Sequence, residues 1–495
     1  MNQLTIPLEE DSGIPLYTQI YAFIRREIKD GRISSYSRLP STRRLSASLG
    51  VSRSTVQMAY DQLLAEGYLD AEPCRGYYAA DMSGVVSFSS SEMPLSGKQA
   101  ESGLLSGSET AGKAQEGIGA GGQSKTEIAS LLCDFSPAGV DLSCFPYKTW
   151  RRLTREVFSD ETGRILGKGQ PQGEPGLRLA IRDYLQGARG VFCEPDQIVV
   201  GAGNEYLLML LSQILGRTRP IAMEDPTYYQ AYRVMTALGH TVRPVSLDGQ
   251  GIEMGELERT GAGLAYVMPS HQYPTGIVMP IARRLELLNW AERKEAYLIE
   301  DDYDSEFRYR GRPIPSLLSV DRNGRVIYLG TFSRAIAPAI RVSFLVLPGE
   351  LAVRYQEVCG FYACTVPRAD QEVLTRFLSG GSFERHLNRM RGVYREKVER
   401  LTELLRPLED DFRIHGAEAG VHVLITSRRG MSETDMLSRA EREGVRVYGL
   451  SRHFIRQEAA FSGPGTVMAG FAGVKTGEME RGAEALLRAW NFTEF

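Results

Sequence analysis

Residues 39–69 read LPSTRRLSASLGVSRSTVQMAYDQLLAEGYL, and this stretch decides the N-terminal fold. Ser41 stands where a helix cap is needed, ahead of a short run carrying Leu45 and Leu49. Gly50 supplies a turn and Ser52 caps a second helix, because a serine hydroxyl can accept a first-turn N–H that has no helical partner. In that second helix Val56, Tyr60, Leu63 and Leu64 share the inward face. Arg53, Ser54 and Gln57 are left outward near its N-terminal end, where a recognition helix reaches base edges in a major groove.

Upstream, Pro15 opens LYTQIYAFIRREIKDG (16–31), with Leu16, Ile20, Phe23, Ile24 and Ile28 on one face and Gly31 ending it. Downstream, after Gly67, YLDAEPCRGYYAA (68–80) reads as a hairpin with Arg75 and Gly76 at its tip, suited to a groove or phosphate contact. Between Arg32 and Tyr60 there are five arginines (32, 38, 43, 44 and 53) and no Asp or Glu. The whole chain carries a net charge of -3, so DNA binding must be local, through counterion release at this patch. The bland alternative for the same arginines is a solvated surface.

At 495 residues the chain is long enough for two or three domains. Its 42% hydrophobic and 24% charged content is that of a globular protein. No apolar run approaches the roughly 18 residues of a membrane span, and the acidic MNQLTIPLEEDSGIP start has no signal-peptide pattern. The six cysteines are scattered, with no CxxC pair, which predicts neither a disulfide framework nor a structural metal. These features together predict a cytoplasmic protein that does not engage a membrane.

The chain divides into a head (1–81), a Gly/Ser-rich linker (82–130) too poor in large apolar residues to fold, and a body (131–495). In the body, short apolar runs such as QIVVGAG, PIAMED, GLAYVMP, AYLIEDDYD and RVIYLGTFS alternate with helical patterns. That alternation predicts a doubly wound α/β domain with a largely parallel sheet.

Residues 39–69 resemble the core of the GntR-type winged helix-turn-helix. The resemblance implies DNA contact through Arg43, Arg53, Thr55 and Gln57, with Arg75 and Gly76 on the wing. Thr55 could equally serve the helix cap alone. In the body, GAGNEYLLMLL (201–211), EDPTYYQAY (224–232), PSHQYPTG (269–276), IEDDYDSEF (299–307) and YLGTFSRAIAPAIRVSFLVLP (328–348) follow one another in the order found in fold-type I aminotransferases, which bind pyridoxal phosphate. Head and body together resemble the MocR/GabR subfamily of GntR regulators.

This resemblance implies roles for individual residues. Asp301 would face the pyridinium nitrogen and keep it protonated. Tyr303 would bond the cofactor's 3-oxygen, and Tyr228 would stack on its ring. Arg341 would clamp the phosphate, helped by Gly203 and Asn204 backbone groups and by the Thr331 and Ser333 hydroxyls. Ordinary alternatives are a helix-capping carboxylate for Asp301 and core packing for Tyr228. Arg452, in GLSRHF, matches one of two arginines that hold a ligand carboxylate, and the other maps onto Gln230.

One position departs from the family. Where its motif reads TFSK, this chain has TFSR, ending in Arg334. A Schiff base requires a neutral amine, and arginine as a residue type stays a delocalised cation. No catalytic lysine is therefore expected at this position, and transamination through it is excluded. Three readings of the body stay open: a noncovalent site for pyridoxal phosphate, a sensor of another small anionic metabolite, and a dimerisation scaffold with a vestigial pocket. The resemblance also implies a homodimer on an operator in double-stranded DNA. Lys168, in LGKGQPQGEPG, lies in a segment that can approach the partner's pocket in this family, though an exposed loop lysine is the simpler reading. The rival from another class is an aminotransferase-family enzyme with a fused DNA-binding domain.

Overall fold

In a computed structural model the described residues are 6–9, 14–66, 68–72, 76–80, 131–159, 163–309, 315–457 and 463–490. The expected linker and the wing-tip residue Arg75 lie outside them. The head consists of α1 (Leu16–Lys29), α2 (Thr42–Leu49), α3 (Arg53–Ala65) and an antiparallel hairpin of β1 (Leu69–Glu72) and β2 (Gly76–Ala79). Both serine caps form as read: Ser41 accepts from the Arg44 N–H and Ser52 from the Thr55 N–H. Gly50 takes the left-handed conformation, φ 67°, that ends α2. Ile20, Ile24 and Ile28 of α1 close over Leu45, Val56, Tyr60 and Leu63, all essentially buried. Fully burying an aliphatic side chain contributes about 1.5–3 kcal/mol, so this small core is what holds three short helices together.

The body begins with β3 (Cys133–Asp134), α4 (Tyr147–Ser159) and α5 (Pro175–Arg189). Its main sheet then alternates strands with helices: β4 (Ile198–Gly201), α6 (Asn204–Leu215), β5 (Ile221–Asp225), α7 (Tyr229–Ala237), β6 (Val242–Asp248), β7 (Gly251–Ile252), α8 (Met254–Arg259), β8 (Leu264–Val267), α9 (Ile281–Arg293), β9 (Tyr297–Asp302), β10 (Val326–Thr331) and β11 (Ser343–Val346). The strand order is β4-β11-β10-β9-β8-β5-β6-β7. Strands β6, β5, β8, β9 and β10 pair in parallel, while β11 runs antiparallel between β10 and β4. Strands β4, β5 and β8 are buried along their whole length, as the apolar runs required of a sheet covered on both faces. The chain continues through α10 (Gly349–Cys359), α11 (Arg368–Ser379) and the 24-residue α12 (Ser382–Leu405). A second layer follows: β12 (Phe412–His415), β13 (His422–Ser427), α13 (Glu433–Arg442), β14 (Val445–Arg446), β15 (Tyr448–Gly449), β16 (Thr466–Gly470) and α14 (Thr476–Ala489). Here β12-β13-β16-β15 form an antiparallel sheet, and β14 pairs with β3.

The head rests on the start of α9. The Ile281 N–H donates to the Glu66 carbonyl at 3.1 Å, and the Ile281 side chain joins the head's own core. Directly beneath lies Arg284, fully buried, with its guanidinium spent on the carbonyls of Met279, Pro269 and Pro315. Burial lowers its pKa to about 10. None of the described helices is long and apolar enough to cross a membrane.

Candidate DNA interface and ligand pocket

The first turns of α2 and α3 contain no acidic residue, so both N-termini keep the positive end of their dipole available. Arg43 and Arg53 are exposed, and the Arg53 Nε lies 3.4 Å from the Thr42 hydroxyl. Thr55 and Gln57, expected beside them, are less free. The Thr55 hydroxyl is 2.8 Å from Ser52 Oγ and so is part of the cap. The Gln57 amide donates to Asp61 at 2.8 Å and to the Tyr77 hydroxyl at 3.2 Å, tying α3 to the wing. Gly76 has φ 118°, and a Cβ there would stand 3.5 Å from the Arg38 guanidinium. Arg38, one of the five arginines of the basic stretch, thus brings its guanidinium beside the start of β2, at the tip end of the wing.

The pocket forms where the C-terminal ends of the parallel strands meet the start of antiparallel β11, the usual place for a ligand in an open α/β sheet. It holds about 600 Å3 of empty space, its mouth included. Of the residues expected there, Gly203, Asn204, Tyr228, Asp301, Tyr303, Thr331, Ser333, Arg334 and Arg341 all line it. Sequence reading missed Glu205, Met268, Tyr273 and Ser343. All four sit inside stretches already quoted, Glu205 in 201–211, Met268 in GLAYVMP, Tyr273 in 269–276 and Ser343 in 328–348, but none carries a local mark of a lining role.

Three elements build the anion-binding side. Gly203 caps α6 with φ 102°, a conformation that favours glycine, and a Cβ there would come within 2.2 Å of Arg341 Nη2 and have to push that guanidinium aside. Arg341 itself adopts φ 51°, an uncommon conformation for a non-glycine residue and one that tends to mark functional sites. Its Nη2 donates to Glu205 at 2.9 Å. Thr331 Oγ1 accepts from the Ser333 N–H and the Ser343 hydroxyl, which leaves its own proton to donate into the cavity.

Opposite lies Asp301. It accepts a short bond from the Tyr266 hydroxyl and faces the Asn204 amide at 3.5 Å. Burial pushes its pKa up to about 7 against the lowering effect of Tyr266, and the nearby carboxylates Asp302, Asp304 and Glu205 add to the rise. A cation placed against it would restore the charged form. The Asn204 Oδ1 is buried with no partner, an acceptor pointing to a missing donor.

An aromatic wall closes the site. Tyr273 packs edge-on to Tyr228, Tyr303 and His453. Burial raises the Tyr228 and Tyr273 pKa values to about 12. The Tyr303 hydroxyl lies 3.1 Å from His271 Nδ1, which is equally close to Asp304. Gly420 makes room for this histidine, since a Cβ there would strike the imidazole. Arg334 is half-buried and its Nη1 donates to the Pro137 carbonyl at 3.0 Å, anchoring the guanidinium to the segment after β3. Arg452 and Gln230 are exposed and are not among the lining residues. Lys168 is exposed on its loop.

The donor set therefore fits a phosphorylated aromatic cofactor in two of three respects. The hydroxyls, Arg341 and the α6 N-terminus suit a phosphate, and Asp301 with the tyrosines suits a cationic ring. No lysine is among the described residues that line the pocket.

Comparison with known proteins accords with this geometry. Residues 16–78 match the bacterial regulatory proteins of the gntR family, and residues 141–486 match aminotransferase class I and II. The HTH-type transcriptional regulator YhdI of Bacillus subtilis is 37% identical over 98% of this chain and 97% of its own length. The probable rhizopine catabolism regulatory protein MocR of Rhizobium meliloti is 32% identical over 98% and 95%. The multiple substrate aminotransferase of Thermococcus profundus superposes with a TM-score of 0.65 at 24% identity, covering 73% of this chain and 92% of that one, a likeness of fold.

Proposed function

The chain belongs to the MocR-type GntR regulators, DNA-binding transcriptional regulators with an aminotransferase-like body, and from that premise we propose that its pocket is a noncovalent receptor for a small anionic ligand. The head (1–81) reads the operator with Arg43 and Arg53, the linker (82–130) tethers it, and the body (131–495) reports on the ligand. The protein acts as a cytoplasmic homodimer.

The observation that carries this reading is Arg334, held on the Pro137 carbonyl where a lysine would be needed. Arg341, Thr331 and Ser333 bind a phosphate, or a carboxylate in its place. Asp301 receives a protonated ring nitrogen, and Tyr228 covers a ring face. Pyridoxal phosphate is the first compound to try, because the cradle fits its phosphate and ring. Bound elsewhere it supplies an electron sink, but no step runs through it here, since no residue of this pocket forms the covalent link.

The test is direct. Purified protein is incubated with pyridoxal phosphate, treated with borohydride and mapped by mass spectrometry, while gel shifts on the promoter DNA beside its own gene are run with and without the compound. The expected result is saturable binding without a pocket adduct, together with a changed gel shift. A lysine adduct inside the pocket overturns the noncovalent reading. Failure of pyridoxal phosphate and of other anionic metabolites to bind overturns the receptor.

A further inference from the structure

The body carries a second basic surface, separate from the head. Helix α4 packs inward through Leu153 and Val157, both buried, and through Trp150, whose ring meets Phe377 of α11 at 5.5 Å. Its outward face presents Lys148, Arg151, Arg152 and Arg155 at the i, i+3, i+4, i+7 spacing of one helical stripe. That stripe is about 10 Å long at 1.5 Å per residue. Arg376 of α11 borders the same shallow cleft.

Charge pairing sets this face apart. A comparable cleft along α12 holds Arg400 among Glu396, Glu399 and Glu403, and that arginine is paired with both Glu403 and Glu480. Another, between α8 and α9, pairs Arg293 with Glu258. Such self-neutralised faces are ordinary solvated surface. On α4 only Arg152 has a carboxylate, Glu156, four residues on. Lys148, Arg151 and Arg155 make no ion pair among the described residues. Holding three unpaired cations together on a chain of net charge -3 costs repulsion that an anionic partner would relieve.

We propose that the α4 face of the body binds the phosphate backbone of duplex DNA, outside the base pairs read by the head. The partner follows from the chemistry of the chain, which already brings a duplex to the protein through α3. A duplex presents one charge per about 1.7 Å of axis, so a stripe of this length spans several phosphates. No base edge is read and the contact is independent of sequence. Its effect is to lengthen the footprint and steepen the salt dependence.

The experiment uses the full chain and two random-sequence duplexes, of about 15 and about 60 base pairs, followed by fluorescence anisotropy across a salt series. Each lost phosphate contact lowers the slope of log affinity against log salt by about 0.9. The variant Lys148→Ala/Arg151→Ala/Arg152→Ala/Arg155→Ala is expected to lower that slope by about 2–3 on the long duplex and to leave the short one unchanged. The variant Arg151→Lys/Arg152→Lys/Arg155→Lys, which keeps the charge, is expected to behave as the parent. Equal slopes for the alanine variant and the parent on the long duplex overturn the proposal. An equal loss on both duplexes also overturns it, because the effect would then arise at the head. Loss in the lysine variant overturns it too, since charge would not be the cause.

Discussion

The head and the pocket use arginine in opposite ways. In the head, Arg43 and Arg53 stand out in solvent on helices with no acid in their first turns. In the pocket, Arg341 is already paired with Glu205, and Arg334 is bonded to a carbonyl. A long-range, sequence-tolerant partner such as DNA is attracted by unpaired charge, whereas a small ligand must displace an internal partner and so is selected by what it offers in exchange. Affinity in the head is therefore set by salt, and in the pocket by competition.

The comparison can be broken most sharply at Arg334. Arg334→Lys restores a neutral-capable amine beside an otherwise suitable cradle, and borohydride trapping is expected to rise from no pocket adduct to about one per chain. No adduct in a variant that still binds pyridoxal phosphate would show that the lysine cannot reach the aldehyde. Next in size is Arg53→Ala. A good base contact is worth about 1–3 kcal/mol of discrimination, so operator preference over scrambled DNA should fall roughly 10- to 100-fold in gel shifts. Unchanged preference would mean that α3 is not the recognition helix.

Protons give a third handle. With Asp301 pushed up to about 7, its carboxyl is protonated at lower pH and must release that proton to solvent before it can pair with a ligand whose ring is already cationic. Its affinity is expected to rise by up to about tenfold per unit as pH climbs toward 7 and then level off, and Asp301→Asn should flatten the profile. Glu205→Gln releases Arg341 from its ion pair, and isothermal titration with inorganic phosphate should show several-fold tighter binding, on the order of the 0.2–1 kcal/mol of an exposed pair. Weaker binding would make Glu205 a structural support instead. Smallest is Ser52→Ala, where loss of the cap should cost about 1 kcal/mol in head stability by thermal melting.

How much of this was legible differs between the two regions for a physical reason. The head's determinants are local: the Ser41 and Ser52 caps, the Gly50 turn and the inward set of α3 all lie within residues 39–69 and formed as read. Only Thr55 and Gln57 were diverted, to a cap and to Tyr77, because small polar groups near a helix start are satisfied by whatever is close. The strand alternation likewise gave the sheet, and the motif ends gave nine lining residues. What stayed hidden depends on distant pairings. The Arg341–Glu205 contact joins residues 136 positions apart, and Tyr266 reaches Asp301 from a neighbouring strand. Arg452 matched a family motif, yet in this chain it is exposed while its neighbour His453 turns onto Tyr273.

The buried Arg284 has a consequence of its own. It stands between two regions: three residues before it, Ile281 is sealed into the head's core, while its Nη2 holds the carbonyl of Pro269, two residues before His271 beside the pocket. A fully desolvated fork bonded to three carbonyls cannot shift without breaking one of those bonds, so a displacement of the 269–276 loop would be felt at the α9 residues on which the head is seated. Linkage then runs both ways: whatever factor the ligand imposes on operator affinity, the operator imposes on ligand affinity.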